Sequence, residues 1–328
     1  MQQAGQTPVP GKAGMLMVRK EEFFYDSRDM ITKIHAVKWI PEQTPLGIIQ
    51  IIHGMAEYVE RYEDFAVDMA GRGFLVVGQD HLGHGKSISK DGQIGYFCKR
   101  DAATVLVRDV HRLKKIIQEE NPGVPYVILG HSMGSFILRN YLCRYGTGIQ
   151  GAVIVGTGMP PKNFAAFSKL LTRVALLVQN PRHRALTLNK LSFGKYNQRI
   201  EPAETDSDWL CTDRAVVNAY IEDPLCGEIF TVNAFAALAE LISRLYKKEN
   251  LFLMPKDLPV LFLAGTEDPV GDYGEGVRRA YQSFVDTGMQ EVSMKLYDGD
   301  RHEILNETDK HEVYQDIYDW IKQKGLVN

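Results

Sequence analysis

Residues 126–134 read Tyr-Val-Ile-Leu-Gly-His-Ser-Met-Gly, and no other stretch constrains the fold as strongly. The apolar run Tyr126-Val127-Ile128-Leu129 leads straight into Gly130-His131-Ser132-Met133-Gly134, and a helical pattern over Ser135–Arg144 follows. G-x-S-x-G between a strand and a helix is the nucleophile elbow. The turn is so tight that a Cβ at either flanking position would strike the neighbouring strand or helix, so both are glycine. Ser132 is then held in a strained conformation that lifts its hydroxyl above the sheet. It is the candidate nucleophile.

The rest of the chain fits that context. Short apolar runs at Gly47–Ile52, Phe74–Gly78, Tyr126–Leu129, Ala152–Val155, Val260–Ala264 and Val292–Tyr297 predict strands buried on both faces. Amphipathic segments at Tyr62–Arg72, Ala102–Glu120, Ser135–Arg144, Gly276–Thr287 and Lys310–Lys324 predict the helices between them. This alternation implies an α/β fold with a mostly parallel sheet flanked by helices. Before it, Phe23-Phe24-Tyr25 and Ile34–Trp39 flank the turn signal Ser27-Arg28-Asp29 and read as a hairpin.

Residues 161–255 break the alternation. Phe164–Val178 and Thr231–Tyr246 read as helices, with polar irregular stretches around 180–184 and 201–208. An insert of roughly 90 residues between two strands predicts a helical cap over the carboxyl edge of the sheet, where ligands bind in open α/β folds. The expected core is therefore 17–160 with 256–328. Residues 1–16, rich in Gln, Gly, Pro and Ala, read as a disordered tail without the apolar run of a secretory leader.

Chain order supplies the partners of Ser132, because in this architecture the acid follows the serine and the histidine comes last. Of nine histidines, only His302 and His311 lie beyond the last strands. His302 follows the Val292–Tyr297 run directly, whereas His311 falls inside the final amphipathic helix as a solvated residue. His302 is the candidate base. Asp268, in Gly265-Thr266-Glu267-Asp268-Pro269 just past Val260–Ala264, is the candidate acid, ahead of Glu267 and Asp272. Asp300 is assigned to shaping the histidine loop. The oxyanion hole calls for two backbone N–H groups, one from Met133 after the nucleophile and one from Met55 in Ile52-His53-Gly54-Met55-Ala56-Glu57.

The remaining features exclude several alternatives. Asp80-His81-Leu82-Gly83-His84-Gly85-Lys86-Ser87 lacks the phosphate-loop frame, and it reads as a hydrogen-bonded turn bracing the oxyanion loop rather than a zinc site. No metal and no cofactor are expected. Net charge is −3, so the basic stripe of a nucleic-acid binder is missing. Cys98, Cys143, Cys211 and Cys226 have no C-x-x-C spacing, which suggests reduced thiols and a cytoplasmic protein. No 18-residue apolar run predicts a transmembrane segment. The stripe Phe164, Phe167, Leu170, Leu171, Val174 and Leu177 is first assigned to packing on the core, with some of it closing over Ser132.

Taken together, His53–Glu57, Asp80–Ser87, Gly130–Gly134 and the Asp268 and His302 loops resemble the α/β-hydrolases of the monoacylglycerol lipase/lysophospholipase family, its bacterial members most of all. The resemblance runs from about residue 18 to the end and is weakest in the insert. It implies a serine carboxylesterase with no cofactor, a lipid or other small ester as substrate, and a cap that faces a membrane or micelle. It implies the same triad and oxyanion donors. Glu57, Tyr58, Phe164 and Phe167 are the candidate substrate-binding residues. Tyr58 departs from the family, which has histidine after the glutamate near the glycerol end of the pocket. Rival readings are a small-ester carboxylesterase, a thioesterase or acyltransferase, a proline-iminopeptidase-like peptidase and a non-catalytic binding protein. The peptidases place a glycine- and proline-rich run after the strand that ends here at His53-Gly54-Met55, and this chain does not. Epoxide and haloalkane hydrolases have aspartate at the nucleophile position.

Overall fold

Alternate residues of each apolar run face opposite ways, and both faces of the sheet bury them except in the edge strand Val292–Tyr297, which is only half-buried where full burial was expected because among the described residues no strand covers its outer side. The computed structural model describes residues 6–11, 14–90 and 92–327. Its strands are β1 Gln6–Gly11, β2 Gly14–Asp26, β3 Lys33–Ile40, β4 Gly47–Ile52, β5 Phe74–Gln79, β6 Tyr126–His131, β7 Gly151–Val155, β8 Val260–Gly265 and β9 Val292–Tyr297. They form one nine-stranded sheet in the order β1-β2-β3-β5-β4-β6-β7-β8-β9. From β5 to β9 all pairings are parallel. The three pairings from β1 to β5 are antiparallel.

Helices cover both faces, as parallel strands require. On one side Ile49, Ile51, Val127, Leu129, Leu261 and Leu263 pack with α1 (Glu63–Gly71) and α10 (Lys310–Gln323). On the other, Ile48, Ile52, Ile128, Ala152, Ile154 and Phe262 pack with α2 (Ala102–Glu120), α3 (Met133–Tyr145) and α9 (Glu275–Val285). Every apolar run named above is a strand, and every named segment outside the insert is a helix.

The insert between β7 and β8 holds α4 (Lys162–Val178), α5 (Leu186–Phe193), α6 (Arg214–Glu222), α7 (Val232–Arg244) and the single turn α8 (Lys248–Leu251). α4 and α7 match the two expected helices. α5 and α6 lie where irregular chain was expected, and they are too short to show a periodic pattern. α6 did carry a start signal, since the Asp213 side chain accepts from the Ala215 N–H as an N-cap.

Part of the expected tail is described as a strand. Residues 6–11 pair with β2 in register Gln6↔Arg19 to Gly11↔Gly14. Pro8 and Pro10 are two apart, so both missing N–H donors fall on one side of the strand, a spacing an edge strand tolerates. Residues 1–5 and 12–13 of that tail lie outside the described residues. Among the described residues, no helix is long and apolar enough to cross a membrane.

Candidate active site

Ser132 stands between β6 and α3 with φ 53° and ψ −120°. A non-glycine residue at positive φ is strained and is held only by its surroundings. Here they hold it firmly: its N–H donates to the Val155 carbonyl on β7 at 3.0 Å. A Cβ on Gly134 would run into the Ile52 carbonyl oxygen, and one on Gly130 would lie 2.6 Å from the Gly134 carbonyl oxygen. The glycines let β4, β6 and α3 meet behind the serine.

His302 and Asp268 arrive from the ends of β9 and β8. The His302 Nδ1–H donates to Asp268 Oδ2 at 3.0 Å, and both residues are buried. Asp268 Oδ1 accepts the Val270 N–H at 2.8 Å, which fixes the carboxylate plane. The two loops are bound together by the Thr266 N–H to Tyr297 and the Glu267 N–H to Asp300, at 2.8 and 2.9 Å. Their closeness depends on Gly265, where a Cβ would collide with the main-chain oxygens of Asp300 and Arg301. Asp300 shapes this loop through its backbone, as expected.

The two candidate oxyanion donors line the same cavity as the serine and come from different elements. Met133 is the first residue of α3, and the first N–H groups of a helix have no intrahelical acceptor. Met55 lies in the loop after β4, and its neighbours are pinned. The Gly54 N–H donates to Glu57 Oε1 at 2.5 Å, and the Ala56 N–H donates to His84 Nε2 at 3.2 Å. His84 accepts there because its Nδ1–H donates to the Leu82 carbonyl. Burial pushes the His84 imidazole down to about 3, so it stays neutral. His53 Nε2 accepts the His81 N–H at 2.9 Å, and burial pushes the His53 imidazole down as well. The Asp80–Ser87 loop thus braces the oxyanion loop through committed histidine nitrogens.

A buried ion network closes the floor. Arg61 donates to Glu57 Oε2 at 2.8 Å and grips Glu303 with two bonds of 2.7 and 2.8 Å. Tyr62 donates to Glu57 Oε1 at 2.7 Å. Burial pushes the Glu57 carboxyl up, but the His131 hydrogen bond and the Arg61 charge outweigh it and hold it well below the usual carboxylate range.

Ser132, His302, Met55 and Met133 all line one cavity of about 740 Å³. From the insert, Phe164, Leu171, Leu188, Phe193, Trp209, Leu238 and Ile242 wall it, so the insert lies over the carboxyl edge of the sheet. Trp209 stands beside His302, with the ring centroids 5.0 Å apart. Phe164 and Leu171 belong to the apolar stripe of the insert, but Leu188, Phe193, Trp209, Leu238 and Ile242 carry no signal in the sequence, because tertiary folding alone brings them to the serine. Of the four candidate substrate-binding residues, Phe164 and Glu57 line the cavity, with the Glu57 carboxylate consumed by its network. The other two need correction. Tyr58 is outside the lining, its hydroxyl turned to Asp223 Oδ2 at 2.7 Å. Phe167 also stays outside, on the outward side of α4. The stripe expected to pack on the core divides likewise: Leu171 packs inward, while Phe164, Phe167, Leu170, Val174 and Leu177 are exposed.

Fold and site together define an α/β-hydrolase, with a serine at the strand-to-helix turn and a histidine–aspartate pair opening on the same cavity. Residues 43–309 match the family described as serine aminopeptidase, S33, and the chain belongs to that family. It is 29% identical over 286 residues to the monoacylglycerol lipase of Mycolicibacterium smegmatis, covering 86% of this chain and 90% of that one. It is 30% identical over 293 residues to the monoglyceride lipase homolog of Monkeypox virus, covering 88% and 94%. A solved carboxyl esterase from Bacillus coagulans, in complex with glycerol, superimposes with a TM-score of 0.86 at 30% identity, covering 93% of this chain and 98% of that one. The motif-based resemblance to the monoacylglycerol lipases, and with it the reading as a hydrolytic enzyme, is borne out by these matches.

Proposed function

We propose that the protein hydrolyses carboxylic esters of lipids, monoacylglycerols or lysophospholipids, through Ser132, His302 and Asp268 and an acyl-enzyme. The observation that carries this reading is the convergence of Ser132 and the His302–Asp268 pair on one largely apolar cavity of about 740 Å³. Ser132 Oγ attacks the ester carbonyl while His302 Nε2 takes its proton. Asp268 holds the Nδ1–H tautomer and steadies the imidazolium. The Met55 and Met133 N–H groups receive the oxyanion, each contributing roughly 2.7–4 kcal/mol to the transition state. The tetrahedral intermediate collapses, and the leaving alcohol takes the proton back from His302. Water, deprotonated by His302, then releases the acid and restores Ser132. The names of the relatives favour a monoacylglycerol as the ester.

The insert then serves as a cap that touches a lipid surface. Phe167, Leu170, Leu177, Val178, Leu186 and Leu191 are all exposed on it, and apolar patches of this kind mark membrane or protein contacts. Residues 161–200 carry eight Lys or Arg and no Asp or Glu, a balance that favours anionic lipid. The four cysteines are unpaired, which suits the cytosol.

An aminopeptidase, as the family description suggests, finds less support. Such an enzyme needs an acid held in the cavity to receive an α-ammonium; of the carboxylates lining it, Glu57 and Glu303 both bind Arg61, Glu228 pairs with Arg184, and Asp206 is exposed to solvent. The test is kcat/KM for an acetyl ester, an octanoyl ester, 1-monooleoylglycerol and an amino-acid anilide. An apolar cavity contributes about 0.8 kcal/mol per buried methylene, roughly fourfold per carbon. A steep rise with chain length and good turnover of the glyceride support the lipase reading. Preference for acetyl would make it a small-ester esterase, and preference for the anilide a peptidase.

A further inference from the structure

His131, the residue before the nucleophile, is nearly fully buried, and its hydrogen bonds fix its charge. Its Nε2 lies 3.1 Å from the main-chain oxygen of His302. A carbonyl only accepts, so Nε2 carries a proton. Its Nδ1 lies 2.7 Å from the Tyr62 hydroxyl. That hydroxyl has a single hydrogen, directed to Glu57 Oε1 at 2.7 Å. Glu57 cannot supply the proton instead, since Oε1 also accepts the Gly54 N–H and Oε2 accepts Arg61. The Tyr62 oxygen must therefore accept from His131 Nδ1–H, and Glu57 Oε1 is a further acceptor at 3.4 Å.

We propose that His131 is a buried imidazolium at neutral pH and a positioning residue for His302, whose main chain it anchors. Charge balance argues the same way. Glu57 and Glu303 are two buried anions, and Arg61 supplies one cation. A charged His131 brings the cluster to neutrality, whereas a neutral one would strand a net negative charge out of water. The titratable neighbours are Glu57 and Tyr62 on the oxyanion side, Arg61 and Glu303 beyond them, and His53 and His302. Burial pushes the His131 imidazole down, but the Glu57 hydrogen bond and charge outweigh it and leave it raised.

The functional consequence rests on His302 being the base. The two imidazole centroids are 4.7 Å apart, so the residue that fixes the His302 main chain also packs beside its ring.

Nitrogen-15 NMR of the intact protein, with labelled histidine, tests the charge directly. Both ring nitrogens of His131 are expected to carry protons at pH 7. Glu57→Gln should lower the pH at which the second proton is lost by more than about one unit. A His131 ring nitrogen without its proton at pH 7 overturns the proposal. The kinetic test is kcat and KM on p-nitrophenyl butyrate at pH 7 for wild type and His131→Gln. The variant should lose at least about tenfold in kcat with KM within about twofold, because the His302 main chain loses its anchor while the cavity keeps its shape. An unchanged kcat, or a rise in KM alone, would overturn the positioning role. Absence of esterase turnover in the wild type would fail the proposed function, while the NMR result would still decide the charge.

Discussion

The Tyr58 hydroxyl donates to Asp223 Oδ2 at 2.7 Å, joining the oxyanion loop to the end of α6 in the cap. The adjacent Gly227 N–H donates to the Ala56 carbonyl at 3.0 Å, so the cap is fastened to that loop at two points. Tyr58→Phe removes one of them. The pair is only part-buried, and water can solvate Asp223, so the expected loss is about 1 kcal/mol of stability in urea unfolding. Turnover of a short soluble ester should fall less than threefold, because Tyr58 does not line the cavity. A tenfold loss on that ester would place Tyr58 in the pocket after all.

Asp268 accepts from His302 Nδ1 and from the Val270 N–H. Asparagine there can keep the shape but present an amide N–H to the ring, which favours the wrong tautomer. Asp268→Asn should lower kcat by about 10⁴-fold with little change in the fold. The same change at Asp272 or Glu267, the rival acids, should cost less than tenfold. Comparing single-turnover acylation rates of the three variants settles which acid serves His302.

Asp109 on α2 accepts from the Ser27 hydroxyl and the Arg28 N–H, holding the β2–β3 turn. Burial pushes its carboxyl up to about 7, against the pull of those two bonds. The unfolded group titrates near 3.9, so the native state binds the extra proton between these values. The stability from that proton is full below about pH 4 and is lost as pH rises to 7, at about 1.4 kcal/mol per pH unit. Asp109→Asn should flatten that part of the stability profile in urea melts at pH 4, 5, 6 and 7. An unchanged slope would show that Asp109 ionises normally.

Leu170 and Leu177 stand exposed on α4, away from the core. Burying a leucine in lipid is worth roughly 1.5–3 kcal/mol, so Leu170→Glu with Leu177→Glu should weaken vesicle binding by tenfold or more. Hydrolysis of a soluble short ester should be unchanged. Wild type should bind vesicles rich in anionic phospholipid better than zwitterionic ones, and less so at high salt. Equal binding of the double variant would locate the lipid contact elsewhere.

The sheet and the candidate site residues were legible because each rests on local pattern. Runs such as Ile48–Ile52 are short and apolar on both faces but for Gln50, as strands of a sheet covered on both sides are. Gly130 and Gly134 record a close approach that any side chain would block. The position of His302 after β9 follows from chain order. The cavity wall was not legible: Trp209, Leu188 and Phe193 come from short helices and turns in a polar stretch, and they meet His302 only through tertiary folding. The prolines that made residues 6–11 read as disordered are compatible with an edge strand, and pairing with β2 decides the outcome. In the side-chain network of Arg61, Glu57 is four residues away, but Glu303 lies 242 residues along the chain, a pairing that no sequence spacing records.

Covalent labelling tests the central claim most directly. Purified protein is treated with a fluorophosphonate, weighed intact and mapped by peptide mass spectrometry. The account predicts one adduct per chain, on Ser132, absent from Ser132→Ala, with hydrolysis of a medium-chain ester lost in step by up to about 10⁶-fold. An unlabelled wild type, an adduct on another residue, or a Ser132→Ala protein that keeps a tenth of its activity would contradict it.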